Sequence, residues 1–163
     1  MMLRKRVISI VFILGWAAQV SAGDVFSATV KKVIDGDSLL VSTDRGDIEV
    51  RLYGVDSPEY DQPFSRQAKI FTQKAVLGKK VMIEPVAEDA YGRTVAVVAK
   101  GADTINRELV QAGLAWVYPR YCKKAVCTSW KKDERTARDE KMGLWQETQP
   151  NPPWQWKKSK RNR

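Results

Sequence analysis

Three short segments of this sequence place acidic residues and arginines around glycines, in a chain that contains no histidine. The segments are Asp35–Asp37, Arg51–Glu59 and Asp89–Arg93. Because histidine is the commonest general base and a frequent metal ligand, hydrolysis here would depend on carboxylates, guanidinium groups and a cation bound by oxygen atoms. This combination is suited to the cleavage of phosphodiester bonds.

Arg51 and Arg93 are the candidate contacts to phosphate. A planar guanidinium group can bind two phosphate oxygens at once, and two such groups can hold a phosphodiester while negative charge builds in the transition state. Arg51 lies in an alternating stretch, so its side chain is expected on the face opposite Val50 and Leu52. Arg93 is expected at the end of a strand, beside a turn.

Asp37, Asp56 and Glu59 are the candidate carboxylates. A glycine turn is expected to present Asp37 at the end of a strand, and the other two lie on an irregular segment after a strand. Two aspartates and a backbone carbonyl, such as that of Ser57, form an all-oxygen ligand set suited to Ca²⁺. Such a cation would polarise the phosphate and position a water molecule, whose proton Glu59 could accept.

Each segment alone also fits a purely structural role. Asp35–Asp37 is a common turn sequence, and Asp56–Glu59 is typical of a turn or a helix start. Arg51 could pair with Glu49 or Asp47 on a solvated sheet face. Asp89–Arg93 would serve as a hairpin turn. The occurrence of all three segments in one chain, with every group that hydrolysis needs, favours the functional interpretation.

On these motifs, the chain resembles the staphylococcal nuclease (thermonuclease) family, over roughly residues 26–145. The resemblance implies an α+β fold, in which a five-stranded oligonucleotide-binding (OB-fold) β-barrel carries three α-helices. It also implies cleavage of DNA and RNA to leave 3′-phosphates.

The resemblance assigns roles to single residues. Those that match the family's catalytic trio are Arg51, Glu59 and Arg93. Those that match its calcium ligands are Asp37, Asp56 and Ser57, the last through its main-chain carbonyl. Serine at this position replaces the family's threonine.

Three tyrosines are candidate contacts to the substrate. Tyr91 matches a residue that packs at the family's nucleotide site, while Tyr118 and Tyr121 lie where the family places aromatic contacts, without a one-to-one alignment. Asp35 resembles an acid near the metal. The loop after Glu59 is shorter than in the best-known member, so substrate access and rate are expected to differ.

Hydrophobic patterning predicts the elements that would position these residues. Strands are expected at 26–34, 38–43 and 47–53, followed by a hairpin of 79–85 and 94–100. Helices are expected at 65–77, 104–112 and 128–142. Ser65 is a candidate N-cap of the first helix, and Gly78 is expected to end it.

The chain divides into three parts. Residues 1–22 have basic residues, a short apolar stretch and a small-residue cleavage site, which predicts a secretory signal peptide cleaved near Ala22. The apolar stretch is shorter than a bilayer span needs, so no stable membrane anchor is expected. Residues 23–148 are expected to form one nuclease-like domain, and 149–163 a basic, disordered tail.

Cys122 and Cys127 are the chain's two cysteines. In an exported protein a disulfide between them is expected, whose short loop would add only about 2 kcal/mol of stability. The alternative is a pair of free thiols. The predicted location is secreted or periplasmic.

The chain has 28 basic and 19 acidic residues, giving a net charge of +9. Five of the basic residues lie in 157–163, so the tail carries much of the excess. This positive charge favours a polyanionic partner. Trp154 and Trp156 could stack on bases or rest on a membrane, but a solvated tail is favoured.

The sequence therefore predicts an exported, calcium-dependent endonuclease with DNA and RNA as substrates, little sequence specificity and a monomeric state. The alternative is a catalytically inactive OB-fold module that binds nucleic acid or protein. The presence of Asp37, Glu59 and both arginines favours the enzyme, because a binding module does not need them.

Overall fold

The computed structural model describes residues 23–161. The strands are β1 (Phe26–Val33), β2 (Ser38–Thr43), β3 (Gly46–Leu52), β4 (Val55–Asp56), β5 (Lys80–Glu88), β6 (Thr94–Lys100), β7 (Asp103–Thr104) and β8 (Trp116–Val117). The helices are α1 (Ser65–Val76), α2 (Ile105–Gln111), α3 (Val126–Asp139) and α4 (Pro153–Arg161), with a 3-10 turn at Gly143–Gln146. The predicted signal peptide lies outside the described residues. Within residues 23–161, no helix has the length and apolar character needed to cross a bilayer.

Five strands close into a barrel. β1 pairs antiparallel with β2 and with β5, β2 pairs with β3, and β5 pairs with β6. A parallel pairing of β3 with β6 closes the ring and sets Arg51 opposite Val95. The predicted α+β class and five-stranded OB-fold barrel are confirmed.

The core follows the alternation of the strands. In β3, Val50 and Leu52 are buried inside the barrel, while Glu49 is exposed and Arg51 is half-buried on the other face. Helix α1 adds buried residues at Ala68 and Val76, and α2 adds others. Each large apolar side chain buried in this way contributes roughly 1.5–3 kcal/mol to stability. The rigid barrel that results holds the polar ends of β3 and β6 in place.

Glycine at position 36 is expected to allow a positive φ in the turn before Asp37, but close packing is what requires it. Its backbone is not among those with positive φ in the described chain. Instead, a Cβ atom at Gly36 would lie 2.6 Å from the Oγ atom of Ser57 and 2.8 Å from the Cβ atom of Ala68. The absence of a side chain lets this turn pack against the segment of Ser57, which brings Asp37 close to that segment.

The start of α1 also differs from the prediction. The N-cap is Phe64 with a φ of 67°, not Ser65, which is the first helical residue. The hydroxyl of Ser65 instead donates to the carbonyl of Tyr60, at 2.8 Å, and so holds the turn before the helix. The helix ends just before Gly78, as predicted.

The C-terminal segment is helical where the sequence predicts disorder. Residues 153–161 form α4, so the described chain has four α-helices rather than the three expected. Contacts with the barrel domain override the composition of this segment. Trp154 stacks on Tyr118 with ring centroids 4.6 Å apart and planes within 3°, and Pro153 is buried.

Candidate active site

The predicted catalytic residues meet at one open cleft with a volume of about 1030 Å³. Arg51, at the end of β3, lines it together with Glu59, which follows β4, and Arg93, which precedes β6. Asp56 also lines the cleft. Asp37 does not line it but contacts Arg51 from within the protein. Three chain segments far apart in sequence therefore supply one polar surface.

Arg51 connects the two predicted aspartate ligands. One terminal nitrogen of its guanidinium group contacts Asp37 and the other contacts Asp56. The two aspartates are 0% and 1% exposed, respectively, so both carboxylates are removed from bulk water. Buried charges need compensation, and here one guanidinium faces two carboxylates. When both are ionised, the cluster keeps a surplus negative charge.

The segment of Ser57 lies directly against Asp37. The backbone N–H of Ser57 donates to Oδ2 of Asp37 at 2.5 Å, while the Ser38 hydroxyl lies 3.4 Å from Oδ1. The carboxylate of Asp35 accepts from the backbone N–H of Asp37 at 3.0 Å, which fixes the turn. The three predicted ligand residues are thus brought together.

Burial raises the pKa of Asp56, against the opposing attraction of Arg51 and Lys157, and the negative charge of Glu59 raises it further. The raised pKa therefore reflects mainly the removal of this carboxylate from water, which its cationic neighbours do not fully offset. A cation placed beside Asp56 would favour its ionised form.

The donor chemistry fits a hard divalent cation. Within residues 23–161, no group of three or more histidine, cysteine or acidic side chains is arranged to hold a metal ion. Two carboxylates with a main-chain carbonyl supply oxygen donors only, which calcium and magnesium prefer. A cation would also neutralise the charge that Arg51 leaves uncompensated. Water and a substrate oxygen would have to complete its coordination.

Glu59 lies at the edge of the cleft, with its side chain 31% exposed. Its backbone N–H donates to Oε1 of Gln62 at 3.1 Å, which holds the short loop after it. Its carboxylate lies 2.8 Å from the Nζ atom of Lys157 on α4. Water can therefore reach the Glu59 carboxylate, which also has a cationic partner.

Arg93 is positioned by Asp89, a residue to which sequence reasoning gave no role of its own. One carboxylate oxygen of Asp89 accepts from Nε of Arg93 at 2.7 Å, and the other accepts from the backbone N–H groups of Tyr91 and Arg93 at 2.9 and 3.1 Å. Although burial acts to raise it, these hydrogen bonds lower the pKa of Asp89. The spacing of an acid four residues before an arginine was the available signal.

The predicted tyrosines all line the cleft. Tyr91 is 86% exposed, and the Arg93 guanidinium lies 5.6 Å from its ring centroid. Tyr118 and Tyr121 make an edge-to-face pair with centroids 4.9 Å apart. Tyr118 also stacks on Trp154, so one of its faces is covered by α4.

A disulfide loop anchors the segment that carries two of these tyrosines. Cys122 and Cys127 form the predicted disulfide. The backbone N–H groups of Lys123 and Lys124 donate to the Tyr53 hydroxyl at 2.7 and 3.0 Å. Gly54 has a φ of 72°, and a Cβ atom there would lie 2.6 Å from the Cys122 sulfur. The loop therefore packs closely on the turn that follows Arg51.

Comparison with known proteins identifies similar sequences. The sequence model of a family described as "Staphylococcal nuclease homologue" matches residues 49–147 of this chain. An "Uncharacterized endonuclease" of Escherichia coli O157:H7 is 33% identical over 159 residues, which cover 97% of this chain and 100% of that protein. A "Micrococcal nuclease" of Shigella flexneri is 33% identical over 146 residues, which cover 84% of this chain and 83% of that protein.

A longer plant protein is also similar. An "Uncharacterized 38.1 kDa protein" of Capnoides sempervirens is 36% identical over 141 residues, and the match covers 83% of this chain but 41% of that protein. The range matched by the family model contains Arg51, Glu59 and Arg93, and it ends before α4 begins.

Proposed function

The chain belongs to the staphylococcal nuclease family, and from this premise we propose that it is a nuclease that hydrolyses phosphodiester bonds in DNA and RNA. The observation that supports this most strongly is the meeting of Arg51, Glu59 and Arg93 at one open cleft. The two buried aspartates in contact with Arg51 support the proposal further, because their oxygen atoms would suit a hard cation beside the cleft.

The side chains at the cleft have separate roles in the proposed hydrolysis. Arg51 and Arg93 bind the non-bridging oxygens of the scissile phosphate and stabilise the negative charge that develops during attack. Glu59 accepts the proton of the attacking water, which its exposed position permits. Asp89 acts as a positioning residue by holding the Arg93 guanidinium at the cleft.

We propose Ca²⁺ as the cofactor, held by Asp37, Asp56 and the main-chain carbonyl of Ser57. When bound, a hard divalent cation supplies a Lewis acid for a phosphate oxygen. The oxygen-only donors and the surplus negative charge around Arg51 support a cation at this position. Without it, these carboxylates leave a negative charge beside a negatively charged substrate.

The proposed specificity follows from the kinds of contact available. Guanidinium groups contact phosphates, while Tyr91, Tyr118 and Tyr121 offer rings on which bases can stack. Neither contact distinguishes a base edge or a 2′-hydroxyl, so we propose little sequence preference and activity on both DNA and RNA. Products that carry 3′-phosphates are proposed separately, from the resemblance to the family.

We propose that the protein is exported, either to a periplasm or out of the cell. The disulfide between Cys122 and Cys127 supports an oxidising compartment. The pattern of residues 1–22 agrees with this, as a sequence typical of a signal peptide.

The test is the incubation of plasmid DNA with the purified protein and Ca²⁺, in parallel with a chelator and with the Glu59→Gln variant. We expect nicking and linearisation with Ca²⁺ only, and a much lower rate for the variant. Intact plasmid under all conditions would instead indicate a binding module without catalytic activity.

A further inference from the structure

Helix α4 forms one wall of the cleft, although it lies beyond the range matched by the family model. Four of its residues line the cleft: Trp154, Lys157, Lys160 and Arg161. Trp154, Lys157 and Lys160 follow one another at intervals of three residues, and Arg161 lies four residues after Lys157, so the four side chains share one broad face of the helix. This face meets the same space as Arg51 and Arg93.

The cationic side chains of α4 are held by weak, exposed contacts. Lys157 pairs with Glu59, and Lys160 pairs with Asp61. The indole N–H of Trp156 also donates to Asp61, at 3.2 Å. Both lysine side chains are 50% exposed. Exposed ion pairs of this kind contribute little to stability and exchange readily with other charged groups.

The charge of this wall is complementary to a polyanion. The sequence of α4 contains basic residues but no acidic ones. From Trp154 to Arg161 the helix rises about 10 Å, the length of about three stacked nucleotides of one strand. The basic face is therefore long enough to follow a strand beyond the scissile phosphate.

An aromatic platform lies beside these cations. Trp154 and Tyr118 stack almost parallel, and both are partly exposed at the cleft. Basic grooves that carry aromatic rings bind single-stranded nucleic acid with little sequence preference, because phosphates contact the cations and bases stack on the rings.

We propose that α4 is a substrate-binding element that holds the strand next to the scissile bond. Lys157, Lys160 and Arg161 contact phosphates of a single-stranded nucleic acid, and the Trp154–Tyr118 platform contacts a base. This inference rests on the proposed function, since it assigns α4 to the same cleft.

The pairing of Lys157 with Glu59 gives the inference a further consequence. The Lys157 ammonium group pairs with the Glu59 carboxylate, which we propose as the proton acceptor. When a phosphate of the strand pairs with Lys157, the Glu59 carboxylate loses this partner and becomes available to the attacking water. Binding of the strand and preparation of the proton acceptor are thereby coupled.

The test measures binding separately from cleavage. The anisotropy of a fluorescent single-stranded DNA oligonucleotide is followed with the full protein in chelator, over a range of salt concentrations. The variant K157Q/K160Q/R161Q is compared with K131Q/K132Q/K158Q, which removes the same number of exposed cations outside the cleft lining. The conservative variant K157R/K160R/R161K serves as a rescue, and circular dichroism confirms that each variant is folded.

We expect the cleft-facing variant to bind roughly 10- to 100-fold more weakly near 0.1 M salt, with a slope of log affinity against log salt that is less steep by about 2, from three phosphate contacts. The control and rescue variants should bind like the wild type. Binding by the cleft-facing variant that equals the control, or exceeds it, would overturn the inference.

The same samples separate this inference from the proposed function. If the wild type cleaves plasmid with Ca²⁺ while the cleft-facing variant binds like the control, only the role of α4 is wrong. If the wild type neither cleaves nor binds the oligonucleotide, the proposed function fails and the inference fails with it.

Discussion

The ammonium group of Lys157 lies 2.8 Å from the carboxylate of Glu59. The pair joins α4 to the loop that follows β4, and it sets a cation beside the proposed proton acceptor. The electrostatic partner of Glu59 is therefore supplied by helix α4 and not by the barrel. Arg51 reaches the same cleft from β3, and Arg93 reaches it from the turn before β6.

Replacement of Glu59 by glutamine should lower the rate of hydrolysis by about 10²- to 10⁴-fold, because the water loses its proton acceptor. The melting temperature should change little, since the lost ion pair with Lys157 is exposed, and oligonucleotide affinity should not fall, because loss of the Glu59 charge leaves Lys157 available to phosphate. Single-turnover cleavage and thermal unfolding measure the two effects. Cleavage by this variant at the wild-type rate would show that another group accepts the proton of the attacking water.

Replacement of Arg51 by glutamine should lower both stability and activity. The buried carboxylates of Asp37 and Asp56 would lose their cationic partner, so in chelator the free energy of unfolding should fall by about 3 to 5 kcal/mol. Urea unfolding measures this loss. Arg93→Gln is the control, because its pair with Asp89 is partly exposed and should be worth about 1 kcal/mol or less. Equal losses in the two variants would contradict the account.

The role of Asp89 can be separated from general stability by a double-mutant cycle. Asp89→Ala should slow hydrolysis by up to about 100-fold, because the Arg93 guanidinium is no longer held in place. Arg93→Gln should slow it by about 10²- to 10³-fold. If Asp89 acts through Arg93, the double variant should be no slower than Arg93→Gln alone. Independent, multiplying losses would show that Asp89 has a separate role.

Calcium should stabilise the folded protein through the two buried aspartates. At a calcium concentration of 100 times the dissociation constant, the free energy of unfolding should rise by about 2.7 kcal/mol. Asp37→Asn and Asp56→Asn should lose most of this gain. In chelator, Asp56→Asn should unfold no more easily than the wild type, because it removes part of the surplus negative charge beside Arg51. An equal gain in all three proteins would place the cation elsewhere.

The strands of the barrel could be predicted from the sequence, because apolar and polar residues alternate along them and turn residues bound them. β2 has the predicted bounds of Ser38–Thr43, and β6 those of Thr94–Lys100. The glycine at position 36 marked the right turn, but its packing against Ser57 could not be predicted, since it depends on a segment distant in sequence.

The site was predictable only in part. Its chemically distinctive residues, Arg51, Glu59 and Arg93, could be identified by type and order. Asp89 looked like an ordinary turn residue, because its hydrogen bonds to Arg93 are visible only in three dimensions. Helix α4 could not be predicted, because its composition is typical of solvated tails. The stacking of Trp154 on Tyr118 that holds it is a tertiary contact, which the sequence does not reveal.

The most direct test of the central claim is mass spectrometry of a defined DNA oligonucleotide after incubation with the purified protein and Ca²⁺. We expect fragments that carry 3′-phosphates and 5′-hydroxyls, and we expect no such fragments when calcium is chelated. An oligonucleotide that stays intact with Ca²⁺ present would contradict the claim that Arg51, Glu59 and Arg93 form a hydrolytic site.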